Sequence, residues 1–201
     1  LLWRDKLGQI SLATTTLFWG AGATLQFIVI KWAEQALHLD LSKASMLQGV
    51  VAVGVAIGAV LAARMVSMRS SVKVIPLGIA MGVIVNVMIF VTDMNLAMAL
   101  MVLIGGLSGF FVVPMNALLQ HRGHILMGAG HSIAVQNFNE NLSILIMTGL
   151  YAFLISSGIS INTVVVAFGL FVAGTMYLVK RRHDANQREF DSVSELDDVR
   201  H

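Results

Sequence analysis

Glu140 lies in the run Gly128-Ala-Gly-His-Ser-Ile-Ala-Val-Gln-Asn-Phe-Asn-Glu-Asn-Leu-Ser-Ile-Leu-Ile-Met-Thr148, which is long and apolar enough to cross a bilayer. A carboxylate in hydrocarbon is costly unless it faces a bundle interior, a partner or water. There it can engage an ammonium group, pair with a base or carry a proton. At about 100° per residue, Gln136, Glu140 and Ser143 fall within about 60° of one another, flanked by Asn137 and Thr148. Phe138, Leu142, Leu145, Ile146 and Gly149 gather on the other side. A membrane helix with one polar face lines something polar.

Two other segments repeat the grouping. Thr15, Trp19, Gly22 and Gln26 share one face of about 60°, setting a hydroxyl, an indole, a gap and an amide in line. Trp19 reads equally as packing or as lining beside Gln26. Gly105, Gly109, Asn116 and Gln120 share another face, with Pro114 opposite. Gly105-xxx-Gly109 reads as close helix packing, whereas Asn116 is deeper and polar. The candidate binding residues are therefore Trp19, Gln26, Asn116, Gln136, Asn137 and Glu140. No nucleophile–base set and no metal-ligand cluster converges on one face, so no enzyme chemistry, metal or cofactor is expected. The chain has no cysteine, which excludes disulfides and thiolate sites.

Membrane helices must position these residues. The 201 residues are 57% hydrophobic and only 12% charged, whereas a soluble domain is about 25% charged. Six segments reach the roughly 20 apolar residues that a span requires: about 10–33, 44–66, 72–92, 95–119, 128–156 and 160–180. Short connections make consecutive helices antiparallel. Pro76 falls near the start of the third span, and Pro114 should kink the fourth. Residues 183–201 form a polar tail carrying Asp184, Glu189, Asp191, Glu195, Asp197 and Asp198. The tail reads as a solvated, partly helical extension whose removal after His183 should leave insertion and transport intact. The chain begins without Met and shows no signal peptide, so a start inside a longer protein is expected.

Basic loop residues set orientation. Arg4, Lys6, Arg64, Arg69, Lys73, Arg122, Lys180, Arg181, Arg182, Arg188 and Arg200 fall on one side, against Lys31 and Lys43 on the other. Both termini are thus expected in the cytoplasm, with Lys31 snorkelling to the outer headgroups. Basic residues scattered over loops do not suggest nucleic acid. The spans differ in polarity. The sixth is almost wholly apolar, and the third carries only Asn86, read as an interhelical hydrogen bond. Both should be peripheral and lipid-facing. Gly54-xxx-Gly58 with Ala52, Ala56, Ala59 and Ala63 is a packing stripe on the second.

Leu17-Phe-Trp-Gly-Ala-Gly-Ala-Thr-Leu-Gln26, Gly105-Gly-Leu-Ser-Gly-Phe-Phe-Val-Val-Pro-Met-Asn-Ala-Leu-Leu-Gln120 and Gly128-Ala-Gly-His-Ser-Ile-Ala-Val-Gln-Asn137 resemble the bacterial lysophospholipid transporter family of the major facilitator superfamily. The resemblance covers about residues 1 to 182. It implies an all-α membrane fold in which these six helices are the C-terminal half, two inverted three-helix repeats, of a twelve-helix protein. It implies that the first and fourth spans face a central cavity, and that the third and sixth lie outermost. The family moves lysophospholipids, chiefly lysophosphatidylethanolamine, from the outer to the inner leaflet of the bacterial inner membrane. An acyltransferase-acyl carrier protein synthetase then restores the second chain. Two departures stand out. Gly58-Ala-Val-Leu-Ala-Ala63-Arg64 lacks the Asp of the superfamily's loop signature, and Gln26 replaces an Arg, which weakens a phosphate clamp there.

The expected function is a half-transporter whose polar faces take a phosphate headgroup and whose apolar faces take one acyl chain. Glu140 would engage the ethanolamine ammonium or pair with a base on an N-terminal six-helix half. Gln26, Asn116, Gln136 and Asn137 would bond phosphate and glycerol. One alternative is a proton-coupled exporter of amphipathic drugs, with Glu140 as proton carrier and His131 as relay. Another is a non-transporting membrane scaffold, against which the polar faces argue; the same polar residues could also close interhelical bonds within the bundle.

Overall fold

The computed structural model describes residues 1–194 and Leu196; Glu195, Asp197, Asp198 and Arg200 of the tail fall outside the described residues. The described chain is all-helical, with six helices long and apolar enough to cross a membrane. The α-helices are α1 (Lys6–Ala36), α2 (Leu41–Met65), α3 (Ile75–Val85), α4 (Met94–Met127), α5 (Ala129–Ser156) and α6 (Ile161–Glu189), with α3 at the centre of a span that runs Met68–Phe90. The chain is a multi-pass membrane protein.

Several ends run past the expected spans, because polar residues continue a helix beyond the hydrocarbon. α4 extends through Pro114 to Met127, and α6 passes residue 182 and ends at Glu189. The third span is composite. Tight 3₁₀ turns, Met68–Val74 and Asn86–Phe90, flank α3, which starts with a proline in its first turn.

Four helices start on a side-chain cap. Asp5 accepts from the Gly8 N–H, Asp40 from Lys43, Asp93 from Asn95 and Leu96, and Ser160 from Thr163. Each supplies an acceptor to backbone donors that the first turn leaves unpaired. α4 and α5 are joined through Gly128 alone, at φ 78°, where a side chain would be strained.

The helices pair as α2 with α4, α1 with α5, and α3 with α6. The α2–α4 seam is the closest. A Cβ added to Gly58 would land on the Gly106 carbonyl, one on Gly54 on the Val102 carbonyl, and one on Gly109 on the Val55 carbonyl. Backbone thus meets backbone, as small residues at fourfold spacing allow. In the α3–α6 seam, Gly82 packs on Gly169 and Ala173. Asn86 sits there too, but its amide donates to Gly82 of its own helix at 3.0 Å, and its Oδ1 has no hydrogen-bond partner. The interhelical hydrogen bond expected of Asn86 does not form among the described residues; the amide packs on Gly169 instead.

The helix ends nearest the termini are tied together. Arg122 of α4 holds Asp5 through Nε at 3.0 Å and through a short Nη2 contact. Lys6 pairs with Glu189 at 3.2 Å, and the buried Asn186 donates to the Lys6 carbonyl at 3.3 Å. Arg69 donates to the Leu196 carbonyl at 3.2 Å, and Leu196 is buried. Among the described residues after 182, Asn186, Glu189 and Leu196 therefore tie the tail to the bundle. Burial pushes the Asp5 carboxyl up, but the Arg122 guanidinium and the Gly8 and Leu7 N–H groups outweigh it and hold the carboxyl below its ordinary 3.8.

Candidate functional site

Two features meet inside the bundle: a small polar group and an apolar cleft. Glu140 is 9% exposed. The Gln136 Nε2 donates to its Oε1 at 2.8 Å and to the Asn116 Oδ1 at 3.2 Å. From α1, the buried Thr15 lies beside the carboxylate, its hydroxyl donating to the Leu12 carbonyl of its own helix at 3.2 Å. By helix rise, Thr15, Asn116 and Glu140 all lie roughly 14–17 Å from the helix ends nearest the termini. Three helices thus deliver polar side chains to one depth, well inside the bundle. Ser143 lies beside them, pressed against Gly20.

α5 turns its polar side to α1 and α4 and leaves its apolar side open. Phe138, Leu145 and Ile146 are exposed, and Ser132 and Glu140 are its buried residues. This is the arrangement of a helix in lipid or against further helices, where polar groups are satisfied inward.

The cleft has a volume of about 570 Å³. Trp19, Gly22 and Gln26 of α1 and Gln48 of α2 stand at its exposed side. The Gln48 Nε2 donates to the Gln26 carbonyl at 2.8 Å. Ile104, Ser108 and Phe111 of α4 form one wall. The back is made by Gly78, Met81 and Gly82 of α3 with Phe168, Val172 and Met176 of α6.

The sequence candidates therefore divide. Asn116, Gln136 and Glu140 form one group. Trp19 and Gln26 border the cleft. Asn137 joins neither; it is exposed, and its carbonyl accepts from Asn141 at 2.8 Å. Two contributors were not among the candidates. Thr15 was visible as the first polar residue of its α1 face. Gln48 was visible only as an amide in a helix otherwise read as packing. α3 and α6, expected to be lipid-facing, also supply the back of the cleft.

The chain is 45% identical over 159 residues to the lysophospholipid transporter LplT of Yersinia pestis (strain Pestoides F), and equally to that of Yersinia pseudotuberculosis serotype O:3 (strain YPIII). The matched stretch is 79% of this chain and 39% of each relative, so the chain spans well under half the length of the relatives it matches. No protein-family model matches the chain, and no solved structure matches it. Over the residues that match, the chain is similar to these lysophospholipid transporters.

Proposed function

We propose that these six helices carry lysophospholipid across the bacterial inner membrane, outer to inner leaflet, as part of a twelve-helix transporter with both termini in the cytoplasm. The observation that carries this reading is the juxtaposition of the Thr15, Asn116, Gln136 and Glu140 group with an apolar cleft, in a chain akin to lysophospholipid transporters. A lysolipid has one polar head and one acyl chain. The polar group suits the ammonium, phosphate and glycerol of the head, and the apolar wall suits the chain. The reaction is movement without bond chemistry, so the protein acts as a facilitator and not as an enzyme. An acyltransferase-acyl carrier protein synthetase would consume the product.

The exposed apolar faces of α2 (Val53, Ile57, Val60) and α5 (Phe138, Leu145, Ile146) are broad enough to meet further helices, which supports an N-terminal six-helix partner. The test is uptake of labelled lysophosphatidylethanolamine by spheroplasts with and without the protein. Uptake that depends on the protein and survives collapse of the proton gradient supports the reading. Glu140 makes no ion pair among the described residues, which keeps a proton-coupled exporter of amphipathic drugs as the second reading. Efflux of cationic amphiphiles that stops with the gradient, without lysolipid uptake, would establish the second reading instead.

A further inference from the structure

We propose that the cleft between α1, α2, α3, α4 and α6 is the acyl-chain site, taking the single chain of a far-leaflet lysolipid tip-first toward mid-membrane, and that its floor limits chain length. The inference rests on the transport reading above. The cleft extends along α1 from Leu17 to Val29, roughly 18 Å at helical rise. One leaflet of hydrocarbon is about 15 Å deep, half of the roughly 30 Å core. The cleft therefore accepts a single chain lengthwise. Its volume of about 570 Å³ lies within the range of about 300–1,000 Å³ typical of ligand cavities.

Polarity sets the direction. Gln26 and Gln48 lie toward the end away from the termini and are the amides that border the cleft. Gly78 and Met176 lie at the other end, where the Met176 side chain presses on the space a Gly78 Cβ would take and so closes the floor. Between them the lining is aliphatic and aromatic, apart from Ser108, whose hydroxyl is turned to the Met81 sulfur at 3.4 Å. A lipid in its ordinary far-leaflet orientation has its head at the amides and its methyl end at Met176. The polar group around Glu140 lies by helix rise at or just below the Leu17 level, where the head would arrive next.

Gly22 makes the site testable. It lines the cleft, and a Cβ built on it meets no atom within 4 Å. A larger side chain there fills the cleft without pushing on the protein. Gly174 of α6 is equally open but does not line the cleft, so it serves as control. The experiment measures spheroplast uptake of lauroyl, palmitoyl and stearoyl lysophosphatidylethanolamine by the full protein and by Gly22→Leu and Gly174→Leu at matched membrane abundance. Gly22 lies roughly 6 Å of helical rise below Gln26, so Gly22→Leu should lower uptake of all three chains roughly tenfold or more, while Gly174→Leu stays at wild-type rates for all three. A lysolipid with a photoreactive group at its chain end should cross-link wild-type protein at Gly78 or Met176, and excess diacyl phosphatidylethanolamine should not compete. Unchanged palmitoyl uptake in Gly22→Leu, cross-links confined to the outer faces of α2 and α5, or equal competition by diacyl lipid would each overturn the site while leaving transport standing. Absence of lysolipid uptake by the wild type would overturn both.

Discussion

Arg122, near the end of α4, holds the carboxylate of Asp5, the residue that caps the start of α1. One side chain thereby serves two structures. It accepts the Gly8 N–H of its own helix at 2.7 Å and binds a guanidinium from a helix far along the chain. Both side chains are mostly buried, at 18% and 14% exposed, so the pair is less screened than a surface bridge. It fixes the first helix against the fourth at the end of the bundle that carries the termini.

This pair predicts a graded response to mutation and to pH. Asp5→Asn keeps a good capping side chain but loses the charge, and should cost about 1–3 kcal/mol. Asp5→Ala also loses the cap and should cost about 1 kcal/mol more. The Asp5 carboxyl is held below its ordinary 3.8. Its contribution is therefore complete above that value and is lost as pH falls through the lower, folded value. Thermal unfolding in detergent, from neutral pH down through the carboxylate range, should show the gap between wild type and Asp5→Asn closing only at the acid end. A gap that is constant with pH would show that the charge is not the stabilising element.

The α2–α4 seam predicts a steep dependence on which glycine of α2 gains a side chain. Gly58 abuts the Gly106 carbonyl and the Phe110 N–H, so the obstacle is backbone and cannot rotate aside. Gly58→Val should cost about 3 kcal/mol or more and sharply reduce membrane abundance. Gly49, nine residues earlier on the same helix, meets nothing within 4 Å. Gly49→Ala should be neutral or stabilise by up to about 1 kcal/mol. Equal abundance of the two variants would mean that α2 and α4 do not pack this closely.

The absence of cysteine makes topology directly readable. Single cysteines at Ser70 and at Ser157 lie at opposite ends of the bundle, after α2 and after α5. They should label from opposite sides of the membrane, with Ser70 on the side of both termini. Labelling from one side would remove the six-span arrangement. Labelling of Ser70 from outside the cell would invert the orientation that the basic loops indicate.

Much of this was legible in the sequence, for a physical reason. Helical spacing alone places Gln136, Glu140 and Asn116 on inward faces, because unsatisfied polar groups cannot face hydrocarbon. The Gly54 and Gly58 stripe announces close packing, because only small residues permit it. The cleft was not legible. Phe168, Val172 and Met176 line it, yet a wall that holds an acyl chain and a surface that faces lipid use the same side chains. The fate of the tail was hidden for another reason. Leu196 is one of a few apolar residues scattered through a polar tail, with no periodic pattern to mark it, and only the fold brings it beside Arg69.

The tail contacts change what truncation should do. Removal after His183 deletes the buried Asn186 with its bonds to Lys6, the Lys6–Glu189 pair and the Leu196 contact with Arg69. Insertion should persist, since all six spans keep their apolar stretches. Thermal stability should fall by about 1–3 kcal/mol, and Asn186→Ala should reproduce a large part of the loss. An unchanged melting temperature for the truncated protein would show that these contacts form without stabilising the bundle.

Glu140 is where structure and transport can be separated most sharply. Its carboxylate accepts from Gln136 at 2.8 Å and is approached by Thr15, while Gln136 also reaches Asn116 at 3.2 Å. Glu140→Gln keeps an acceptor oxygen for Gln136 and the same shape, so the helices should still assemble and abundance should hold. What disappears is the charge. If that charge serves a lipid head or a base on a partner helix, the loss is on the order of 1–3 kcal/mol, as when a charge-assisted hydrogen bond becomes neutral. Uptake of lysophosphatidylethanolamine would then fall at least several-fold. Glu140→Leu also leaves the Gln136 donor short of an acceptor inside the bundle, so it should lower both abundance and uptake. Leu142, on the open face of the same helix, is 42% exposed. Leu142→Gln places an amide in that apolar face and should lower abundance, leaving uptake per molecule unchanged. Wild-type uptake by Glu140→Gln would make the polar group a structural tie between α1, α4 and α5. The head would then have to pass by Trp19 and Gln26, the candidates that border the cleft.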